Sequence, residues 1–447
     1  MDIKKSHVVV LGAARSGLAV TKLLKEAGGS VFVSDIATED KKKEAIEFLK
    51  GLGVPFEFGE HSEQIFKADF VVLSPGIPPS IEIVRKVKER KIPVFSELEV
   101  AFWFCRANII AITGSNGKTT TTTLLGEMLK MQEPETIVAG NIGTPLSLFV
   151  GANSNQDWAV VEVSSFQLET IDRFHPKIAV LLNLSPNHLD WYSTFEEYIT
   201  AKMRILNNLT KDDFIIYNHD DNILSHQISE SPAQLLSFSL HDEQVEGYLK
   251  NDTLYLKNKT LISTRDIRIR GQHNYANALA AGLAAQIAGI SSAQIAQVLS
   301  DFPGVVHRLE FVKTVAGVHF INDSKATTLE SQAAALRSFE KKIILIAGGK
   351  DKGSDFSQIA DLLVQKVRSA ILIGQARQKI YNSWQNIIPL HMVETLQEAV
   401  SLALEIAVPG EYVVLSPACA SFDMFNNYEE RGNSFKKIIH ELKNETY

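Results

Sequence analysis

The residue types that bind phosphate occur together in one glycine-rich segment, Gly114-Ser115-Asn116-Gly117-Lys118-Thr119-Thr120. It follows the apolar run Ile109–Ile112 and precedes apolar residues at helical spacing, which predicts a strand, a loop and a helix. Backbone N–H groups at the start of such a helix attract an anion. Lys118 would reach the outer phosphates of a nucleotide, and Thr119 would hold its Mg²⁺. The full pattern has glycine where Ile112 stands, but the context favours ATP or GTP binding over a simple turn.

Two further polar residues follow apolar runs that predict strands. Glu162 lies near the end of the predicted strand Trp158–Val163, where nucleotide-binding sheets place a carboxylate for magnesium. His188 follows the predicted strand Ile178–Leu184. Because parallel strands end at one edge of a sheet, both side chains can approach the phosphate loop. Taken alone, each has an ordinary alternative as a strand-end carboxylate or a solvated loop histidine.

Lys202 lies on the apolar face of a predicted helix over residues 194–209, four positions from Tyr198 and three from Ile199. Burial disfavours the ammonium form, so the pKa of such a lysine falls and its amine becomes nucleophilic. The neutral amine could react with CO₂ to form a carbamate, whose negative charge could bind or orient near magnesium. The alternative is a side chain that extends to the solvent at the rim of the helix.

The chain opens with a strand, Val8–Leu11, and a loop, Gly12-Ala13-Ala14-Arg15-Ser16-Gly17. An amphipathic helix through Leu18, Leu23 and Leu24 follows, and then a second strand that ends at Asp35. This is the order of a dinucleotide-binding unit, and it leaves an NAD-dependent oxidoreductase as an alternative. Alanine at position 14 replaces the middle glycine and leaves less room for a pyrophosphate, so a nucleotide bound in another way is also open. Ser74 begins a rigid turn after the predicted strand Phe70–Leu73.

The spacing of apolar strands predicts an α/β protein with three domains in series, each built on a mostly parallel sheet. Residues 1–97 form a Rossmann-like domain, 98–303 a central domain with the phosphate loop, and 304–447 a second Rossmann-like domain. At this length more than one hydrophobic core is expected.

Period-two alternation within the central domain predicts a small antiparallel meander. Its predicted strands are Tyr248–Lys250, Thr253–Leu256 and Thr260–Ile262, with two-residue turns at Asn251-Asp252 and Asn258-Lys259.

The last domain has three polar segments that follow predicted strands. They are Asn322–Thr328, Gly348–Gly353 and Ser416–Asp423. Because each follows a strand, the three could line one cleft, and Lys325 and Lys352 suit an anionic ligand there.

Composition excludes several classes of function. The net charge is −7 with scattered basic residues, which does not favour nucleic-acid binding. No apolar stretch reaches the length of a membrane span, and the N-terminus lacks a signal-peptide pattern. The two cysteines, Cys105 and Cys419, cannot form a disulfide framework. We expect a cytoplasmic monomer, since no heptad run indicates an assembly interface.

Taken together, these motifs resemble the Mur ligase family of ATP-dependent amide-forming enzymes. The resemblance spans nearly the whole chain and rests on Gly114–Thr120, Gly140–Gly143, Glu162–Leu168, His188, Ala201-Lys202, Gly271–Asn277, His307-Arg308 and Asp323–Thr327. Three of its segments are similar to the branch that joins D-glutamate to UDP-N-acetylmuramoyl-L-alanine in peptidoglycan precursor synthesis: Glu162–Leu168, Asp323–Thr327 and Ser416–Phe425.

The resemblance implies a reaction, its cofactors and its site residues. ATP would phosphorylate the substrate carboxylate and the amine of D-glutamate would attack the acyl phosphate, with two Mg²⁺ ions present and Mn²⁺ as a substitute. The implied catalytic residues are Lys118, Glu162, His188 and Lys202. The implied metal ligands are Thr119, Glu162, His188 and Lys202 as its carbamate. The implied ATP contacts are Gly114, Ser115, Asn116, Gly117, Lys118, Thr119, Thr120, Asn274, Asn277, Arg308, Asp323 and Lys325. The implied contacts of the UDP-linked substrate are Ser16, Asp35, Ser74, Asn141 and His188, and those of D-glutamate are Thr327, Lys352, Ser421 and Tyr428.

Two alternatives share the ATP-binding core. Folylpolyglutamate synthetase adds L-glutamate to a folate, but the α/β domain before the phosphate loop argues against it. A regulatory ATP-binding protein would not need Glu162, His188 and Lys202 in addition to the phosphate loop.

Overall fold

The computed structural model describes residues 2–78, 81–141, 143–151, 156–186, 191–339, 341–351 and 353–442. It contains three β-sheets, and the chain divides into two compact units, Met1–Phe302 and Pro303–Tyr447. The first unit holds two sheets and the second unit holds one. The predicted three-domain α/β architecture is thereby confirmed, while the exact boundaries of the domains stay predictions.

The first sheet is entirely parallel and has helices on both faces. Its elements are β1 (His7–Leu11), α1 (Arg15–Glu26), β2 (Ser30–Asp35), α2 (Lys43–Gly51), β3 (Phe56–Phe58), β4 (Phe70–Leu73), α3 (Glu82–Glu89) and β5 (Val94–Ser96), followed by α4 (Glu97–Phe104). The strand order is β3-β2-β1-β4-β5. Successive residues of β1 enter different hydrophobic clusters, because side chains alternate across a strand and both faces of this sheet are covered.

The second sheet has nine strands, with β6 third from one edge. Its strands are β6 (Asn108–Thr113), β7 (Ile137–Gly140), β8 (Trp158–Glu162), β9 (Ile178–Leu181), β10 (Phe214–Asn218), β11 (Gln234–Ser239), β12 (Gly247–Lys250), β13 (Thr253–Leu256) and β14 (Lys259–Ser263). Its helices are α5 (Lys118–Lys130), α6 (Ser165–Leu168), α7 (Phe195–Met203), α8 (Asn222–Gln227), α9 (Gln272–Ile287) and α10 (Ser292–Asp301). The order is β14-β13-β12-β11-β10-β9-β6-β8-β7.

The predicted meander is confirmed, with one turn displaced. Strand β12 pairs antiparallel with β13, and β13 pairs antiparallel with β14, while β12 continues the parallel sheet beside β11. Asn251 and Asp252 both have positive φ, as a two-residue hairpin turn requires. The second turn is Lys257-Asn258 rather than Asn258-Lys259, because Lys259 already pairs with Leu256 in the ladder.

Strand β9 ends earlier than the sequence predicted. The apolar run suggested Ile178–Leu184, but the ladder stops at Leu181. Beyond that point Asn183 hydrogen-bonds to the segment after β6 instead of pairing with a strand. Apolar character alone could not reveal this change of partner.

The third sheet lies in the second compact unit. Its elements are β15 (Glu310–Val315), β16 (Val318–Asn322), α11 (Leu329–Arg337), β17 (Ile343–Gly348), α12 (Ala360–Lys366), β18 (Val367–Ile373), α13 (Arg377–Trp384), β19 (Leu390–Met392), α14 (Leu396–Ile406), β20 (Tyr412–Leu415) and α15 (Tyr428–Glu441). The order is β15-β16-β20-β17-β18-β19, parallel except for the β15–β16 pair. Strands β16, β20 and β17 are adjacent, so the loops that follow them lie side by side.

Helix α4 joins the first sheet to the second and is fixed by two buried carboxylates. Glu99 accepts hydrogen bonds from the indole N–H of Trp103 and from the backbone N–H groups of residues 172, 173 and 174, at 2.7–3.0 Å. Glu97 accepts the backbone N–H of Ser147 at 2.9 Å, and burial raises the pKa of Glu97. Both side chains are buried, so α4 ties the first domain to loops of the second.

Among the described residues, none of the helices combines the length and the apolar character needed to cross a membrane.

Replacing Glu99 with alanine should destabilise the first unit. The substitution leaves one indole and three backbone N–H donors without their acceptor, which we expect to lower the free energy of unfolding by about 3 kcal/mol. Urea unfolding followed by tryptophan fluorescence measures the change. Glu44→Ala, at an exposed position on α2, is the control and should change the free energy by less than about 0.5 kcal/mol. Equal stability of the two variants would contradict a structural role for the Glu99 carboxylate.

Candidate active site

The phosphate loop lies between β6 and α5, as the sequence predicted. Gly117 precedes α5 in the left-handed region, with φ of 84°. A Cβ atom at this position would stand 2.4 Å from Oδ1 of Asn277 on α9, so glycine is required on both conformational and steric grounds. The same close approach places Asn277, a predicted ATP contact, against the loop. Asn277 in turn donates to Oδ1 of Asn274 at 3.3 Å.

The loop is held in shape by residues that the sequence did not identify. The side-chain amide of Asn183 accepts the backbone N–H of Asn116 at 2.8 Å and donates to its carbonyl oxygen at 3.1 Å. The hydroxyl of Ser115 lies 3.0 Å from that of Tyr198 on α7 and accepts the N–H of Ser185 at 2.9 Å. Tyr198 was recognised only as an apolar position, and the one signal for Asn183 was that it is a polar residue within the predicted strand Ile178–Leu184.

Glu162 connects two predicted site residues from its place at the end of β8. Its Oε2 accepts the hydroxyl hydrogen of Thr119 at 2.8 Å, and its Oε1 accepts the side-chain N–H of Asn141 at 2.9 Å. Strand β8 lies between β6 and β7, so the sheet itself brings these three residues to one edge. Hydroxyl and carboxylate oxygens are ligands that Mg²⁺ prefers, and the pair therefore fits a magnesium ion beside a bound nucleotide.

Lys202 is buried, with a relative exposure of 1%. Its ammonium nitrogen lies 3.0 Å from the carbonyl oxygen of Gly114 and 3.4 Å from the hydroxyl oxygen of Thr113. The alternative of a side chain reaching the solvent was therefore wrong. Burial, reinforced by the charge of Lys118, lowers the pKa of Lys202 well below its ordinary value, although Glu162 acts in the opposite direction.

An aromatic cluster at α7 contacts this lysine through Tyr198. The ring centroid of Tyr198 is 4.7 Å from the Lys202 nitrogen, and Tyr192 packs edge-on against Tyr198. Phe166, Trp191 and Phe195 complete the cluster. Burial raises the pKa of Tyr198 to about 12, so its hydroxyl stays protonated and neutral beside Ser115.

Lys118 reaches back over its own loop. Its ammonium nitrogen donates to the carbonyl oxygens of Gly114 at 2.8 Å and Ser115 at 3.0 Å. The side-chain nitrogen of Lys202 also donates to the carbonyl oxygen of Gly114. Both predicted catalytic lysines therefore bond to one carbonyl group.

Two predicted site residues, His188 and Lys352, lie outside the described residues. Within the described ranges, no group of three or more His, Cys, Asp or Glu side chains is arranged to hold a metal ion. The described oxygen donors at this point are the Glu162 carboxylate and the Thr119 hydroxyl.

In the first domain, Asp35 is committed to its own loop. Its oxygens accept the backbone N–H groups of Ala13 at 2.7 Å and Ala37 at 2.8 Å, and Lys42 lies 3.0 Å away. Burial would raise the pKa of Asp35, but these bonds outweigh it and lower the pKa below its ordinary value. A carboxylate engaged in this way has fewer lone pairs left for a ribose hydroxyl, whether that ribose belongs to NAD or to a UDP-linked substrate.

The other predicted contacts of the first domain flank Asp35 at the same sheet edge. Ser16 lies in the first turn of α1 and is half-buried. Ser74 follows β4 and donates its hydroxyl hydrogen to the carbonyl oxygen of Gly12 at 3.1 Å. Arg15, beside Ser16, donates to the carbonyl oxygen of Gly143 in the second domain, close to Asn141. The predicted contacts of the UDP-linked substrate that the structure describes thus lie within one compact unit.

In the second compact unit, backbone bonds gather Arg308, Asp323 and Lys325. The N–H of Leu309 donates to Oδ1 of Asp323 at 3.2 Å, and the N–H of Lys325 donates to the carbonyl oxygen of His307 at 3.1 Å. Burial raises the pKa of Asp323 to about 7, although the Ser416 hydroxyl and the Arg308 charge oppose the shift. These three predicted ATP contacts are therefore neighbours.

Predicted D-glutamate contacts lie on the adjacent loops of the same unit. Thr327 follows β16, and Ser421 follows β20 and is buried. Tyr428 begins α15, and its carbonyl oxygen accepts the hydroxyl hydrogen of Ser324 at 2.8 Å. The strand order brings the three segments together, which the sequence could only suggest.

Comparison with protein families matches three models in chain order. Residues 5–83 match the MurD N-terminal domain, residues 112–285 the Mur ligase middle domain, and residues 307–419 the Mur ligase glutamate ligase domain.

Two curated relatives match along their entire length. A UDP-N-acetylmuramoylalanine–D-glutamate ligase from Caldanaerobacter subterraneus subsp. tengcongensis is 42% identical, over 99% of this chain and 100% of the relative. The protein of the same name from Chloroherpeton thalassium is 40% identical, over 99% of both chains.

Solved structures share the fold at lower identity. The UDP-N-acetylmuramate–alanine ligase of Thermotoga maritima has a TM-score of 0.63 at 20% identity, covering 98% of this chain and 100% of that one. The MurF ligase of the same organism, solved in complex with ADP, has a TM-score of 0.59 at 14% identity, covering 98% and 99%. Since full-length relatives are 40–42% identical and all three domain models match, this chain belongs to the Mur ligase family.

Proposed function

We propose that this chain is an ATP-dependent ligase that joins D-glutamate to UDP-N-acetylmuramoyl-L-alanine and releases ADP and phosphate. Full-length relatives with that name support the choice of substrates. In the first step the alanine carboxylate of the substrate takes the γ-phosphoryl group of ATP, and ADP leaves. The amine of D-glutamate then attacks the acyl phosphate, loses a proton, and displaces inorganic phosphate as the amide forms.

The phosphate loop would bind ATP through its backbone N–H groups and Lys118. Lys118 now donates to carbonyl oxygens of its own loop, and it would exchange those bonds for phosphate oxygens when a nucleotide enters. Asn274 and Asn277 would contact the nucleotide from α9, and Arg308, Asp323 and Lys325 from the second unit. Thr119 and Glu162 would hold Mg²⁺, for which Mn²⁺ could substitute. A bound divalent ion would offset the charge repulsion between phosphate and carboxylate.

Lys202 would act as a carbamate. Its burial at 1% exposure beside the Gly114 carbonyl keeps the amine desolvated, and only a neutral amine reacts with CO₂. The resulting anion would lie near Lys118 and Glu162, where it could hold a second Mg²⁺. His188 would complete the metal site, Asn141 would orient the muramoyl-alanine end, and Lys352 would pair with a D-glutamate carboxylate.

The burial of Lys202 is the observation that best separates a ligase from a protein that merely binds ATP. Phosphate binding alone is served by the glycine loop, Lys118 and Thr119. A desolvated lysine next to that loop is costly, and the cost is understandable if the amine takes part in the reaction. The match of residues 5–83 to an N-terminal Mur domain also argues against folylpolyglutamate synthetase. A monomeric state and a cytoplasmic location remain predictions from the sequence.

Phosphate release should depend on D-glutamate. With ATP, Mg²⁺ and UDP-N-acetylmuramoyl-L-alanine present, we expect turnover with D-glutamate and none above background with L-glutamate. A colorimetric phosphate assay measures both, with each substrate omitted in turn as the control. Turnover with L-glutamate and a folate would support folylpolyglutamate synthetase. If protein that binds ATP releases no phosphate with either amino acid, the substrate assignment is overturned.

Glu162→Gln should impair the use of magnesium. Loss of the negative charge weakens the site that Glu162 forms with Thr119, so we expect kcat to fall roughly 100-fold and the Mg²⁺ concentration for half-maximal activity to rise. Magnesium titrations of phosphate release provide the measurement. Glu127→Gln, on the outward part of α5, is the matched control and should behave as wild type. An unchanged magnesium requirement in Glu162→Gln would exclude this residue as a ligand.

Lys202→Ala should abolish activity, and added formate or acetate should restore part of it. A small carboxylate can occupy the space of the missing carbamate and supply its charge. Lys211→Ala, at an exposed position after α7, is the control and should retain activity. NMR of wild-type protein with isotopically labelled bicarbonate should show a carbamate resonance that Lys202→Ala lacks. No rescue together with no such resonance would rule out the modified lysine.

A further inference from the structure

Arg431, on α15, is buried with a relative exposure of 1% and makes three hydrogen bonds. Its Nε donates to the hydroxyl oxygen of Ser324 at 3.0 Å, and one terminal nitrogen donates to the carbonyl oxygen of Ser324 at 2.9 Å. The other terminal nitrogen donates to the carbonyl oxygen of Cys419 at 3.1 Å. One guanidinium group therefore spans the loop after β16 and the loop after β20.

The third loop of this edge also approaches the guanidinium group. Gly349, after β17, has φ of 136°, and a Cβ atom there would stand 2.3 Å from the carbonyl oxygen of Ala420 and 3.2 Å from the Arg431 side chain. A residue with a side chain would therefore push the loop after β17 away from the other two. Arg431 thus lies at the point where the three loops meet.

Each predicted D-glutamate contact that the structure describes lies within three residues of Arg431 or of a residue that Arg431 bonds. Thr327 is three residues after Ser324, and Ser421 is two residues after Cys419. Tyr428 is three residues before Arg431, on the neighbouring turn of the same helix. The Ser324 hydroxyl, which accepts from Arg431, also donates to the carbonyl oxygen of Tyr428.

The bonding pattern explains why arginine is used. Among the described residues, no carboxylate oxygen lies within ion-pair distance of Arg431, and Asp323 and Asp423 act on it only at longer range. Burial lowers the pKa of Arg431 to about 10, which still leaves it charged at neutral pH. A fork of donors in fixed geometry can bond two separate loops, whereas a lysine ammonium is a single point. A buried charge that forms no direct ion pair costs folding free energy. That cost is understandable if the hydrogen bonds of Arg431 hold the loops in place.

We propose that Arg431 is a positioning residue for the incoming amino acid: it fixes the spacing of Thr327, Ser421 and Tyr428 and so sets the affinity for D-glutamate. The inference rests on the proposed function, since it assigns D-glutamate to these loops. Arg431 itself touches loop backbone and Ser324, not the reacting atoms.

Steady-state kinetics of Arg431→Met and Arg431→Lys test the proposal. Both variants lose the hydrogen bonds of the guanidinium group to the two loops, so we expect the KM for D-glutamate to rise at least tenfold. The KM for UDP-N-acetylmuramoyl-L-alanine should stay within twofold of wild type. The second value is a sharp reference because the proposed contacts of that substrate lie in the other compact unit. Ser324→Ala removes one acceptor and keeps the charge, and it should give a smaller rise in the KM for D-glutamate.

A matched charge control comes from the same helix. Lys437 is exposed on α15, so Lys437→Met should leave all three Michaelis constants unchanged. If the KM for D-glutamate rises as much in Arg431→Lys as in Arg431→Met, bond geometry rather than charge sets the affinity. Rescue of the D-glutamate KM by lysine would overturn the geometric account.

The outcomes distinguish this inference from the proposed function. If wild-type protein shows no turnover with D-glutamate, the proposed function fails. If wild type turns over and the Arg431 variants lose kcat with an unchanged KM for D-glutamate, Arg431 is merely structural and the inference fails. Should both Arg431 variants not fold, Ser324→Ala decides, because an unchanged KM for D-glutamate in that variant contradicts the proposal.

Discussion

The Glu162 carboxylate is the interaction on which the arrangement of the first unit's site depends. One oxygen accepts from Thr119 at the start of α5, and the other accepts from Asn141 after β7. Three neighbouring parallel strands, β6, β8 and β7, deliver these groups to one edge of the sheet. A carboxylate with both oxygens engaged is fixed in orientation, so a cation that joins it meets a prepared site rather than a mobile side chain.

The surroundings of Lys202 show how the fold keeps a lysine side chain out of water. The ring of Tyr198 lies beside the side chain, and the Lys202 nitrogen faces the carbonyl oxygen of Gly114. Water is excluded, so the ammonium form loses hydration that these contacts only partly replace. Tyr198 also bonds Ser115, and the helix that contains the lysine is thereby attached to the phosphate loop. The same contacts hold the shape of the loop and keep the Lys202 nitrogen away from the solvent.

In the second unit, hydrogen bonds between loops hold the predicted site residues close together. Backbone hydrogen bonds join Leu309 to Asp323 and Lys325 to His307, and the buried Arg431 side chain joins the loops after β16 and β20. Positions that need glycine, such as Gly349, allow the loops to approach without side chains between them. Loops at the ends of adjacent parallel strands are where α/β proteins bind ligands, and the fold class fixes that location. The contacts of Arg431 then determine how far apart the loops lie.

The amino-acid sequence by itself determined the class of fold and most of the strands, because apolar periodicity reports burial directly. It also singled out Gly114–Thr120, Glu162 and Lys202 as candidate site residues, from their types and their places relative to predicted strands and helices. It misplaced the second hairpin turn by one residue and extended β9 by three, because the partner of a backbone N–H is not encoded in hydrophobicity.

Only the tertiary structure decided which groups touch. Asn183 and Tyr198 against the phosphate loop, Asp35 committed to its own loop, and Arg431 between two loops all depend on contacts between residues distant in sequence. The sequence left two outcomes open for Lys202, burial or exposure at the rim of the helix. The structure shows burial, because α7 packs against β6 and the loop that follows it. Local patterns specify elements, whereas hydrogen bonds between elements are fixed by how those elements pack, and that is why the site's geometry could not be predicted from its residues alone.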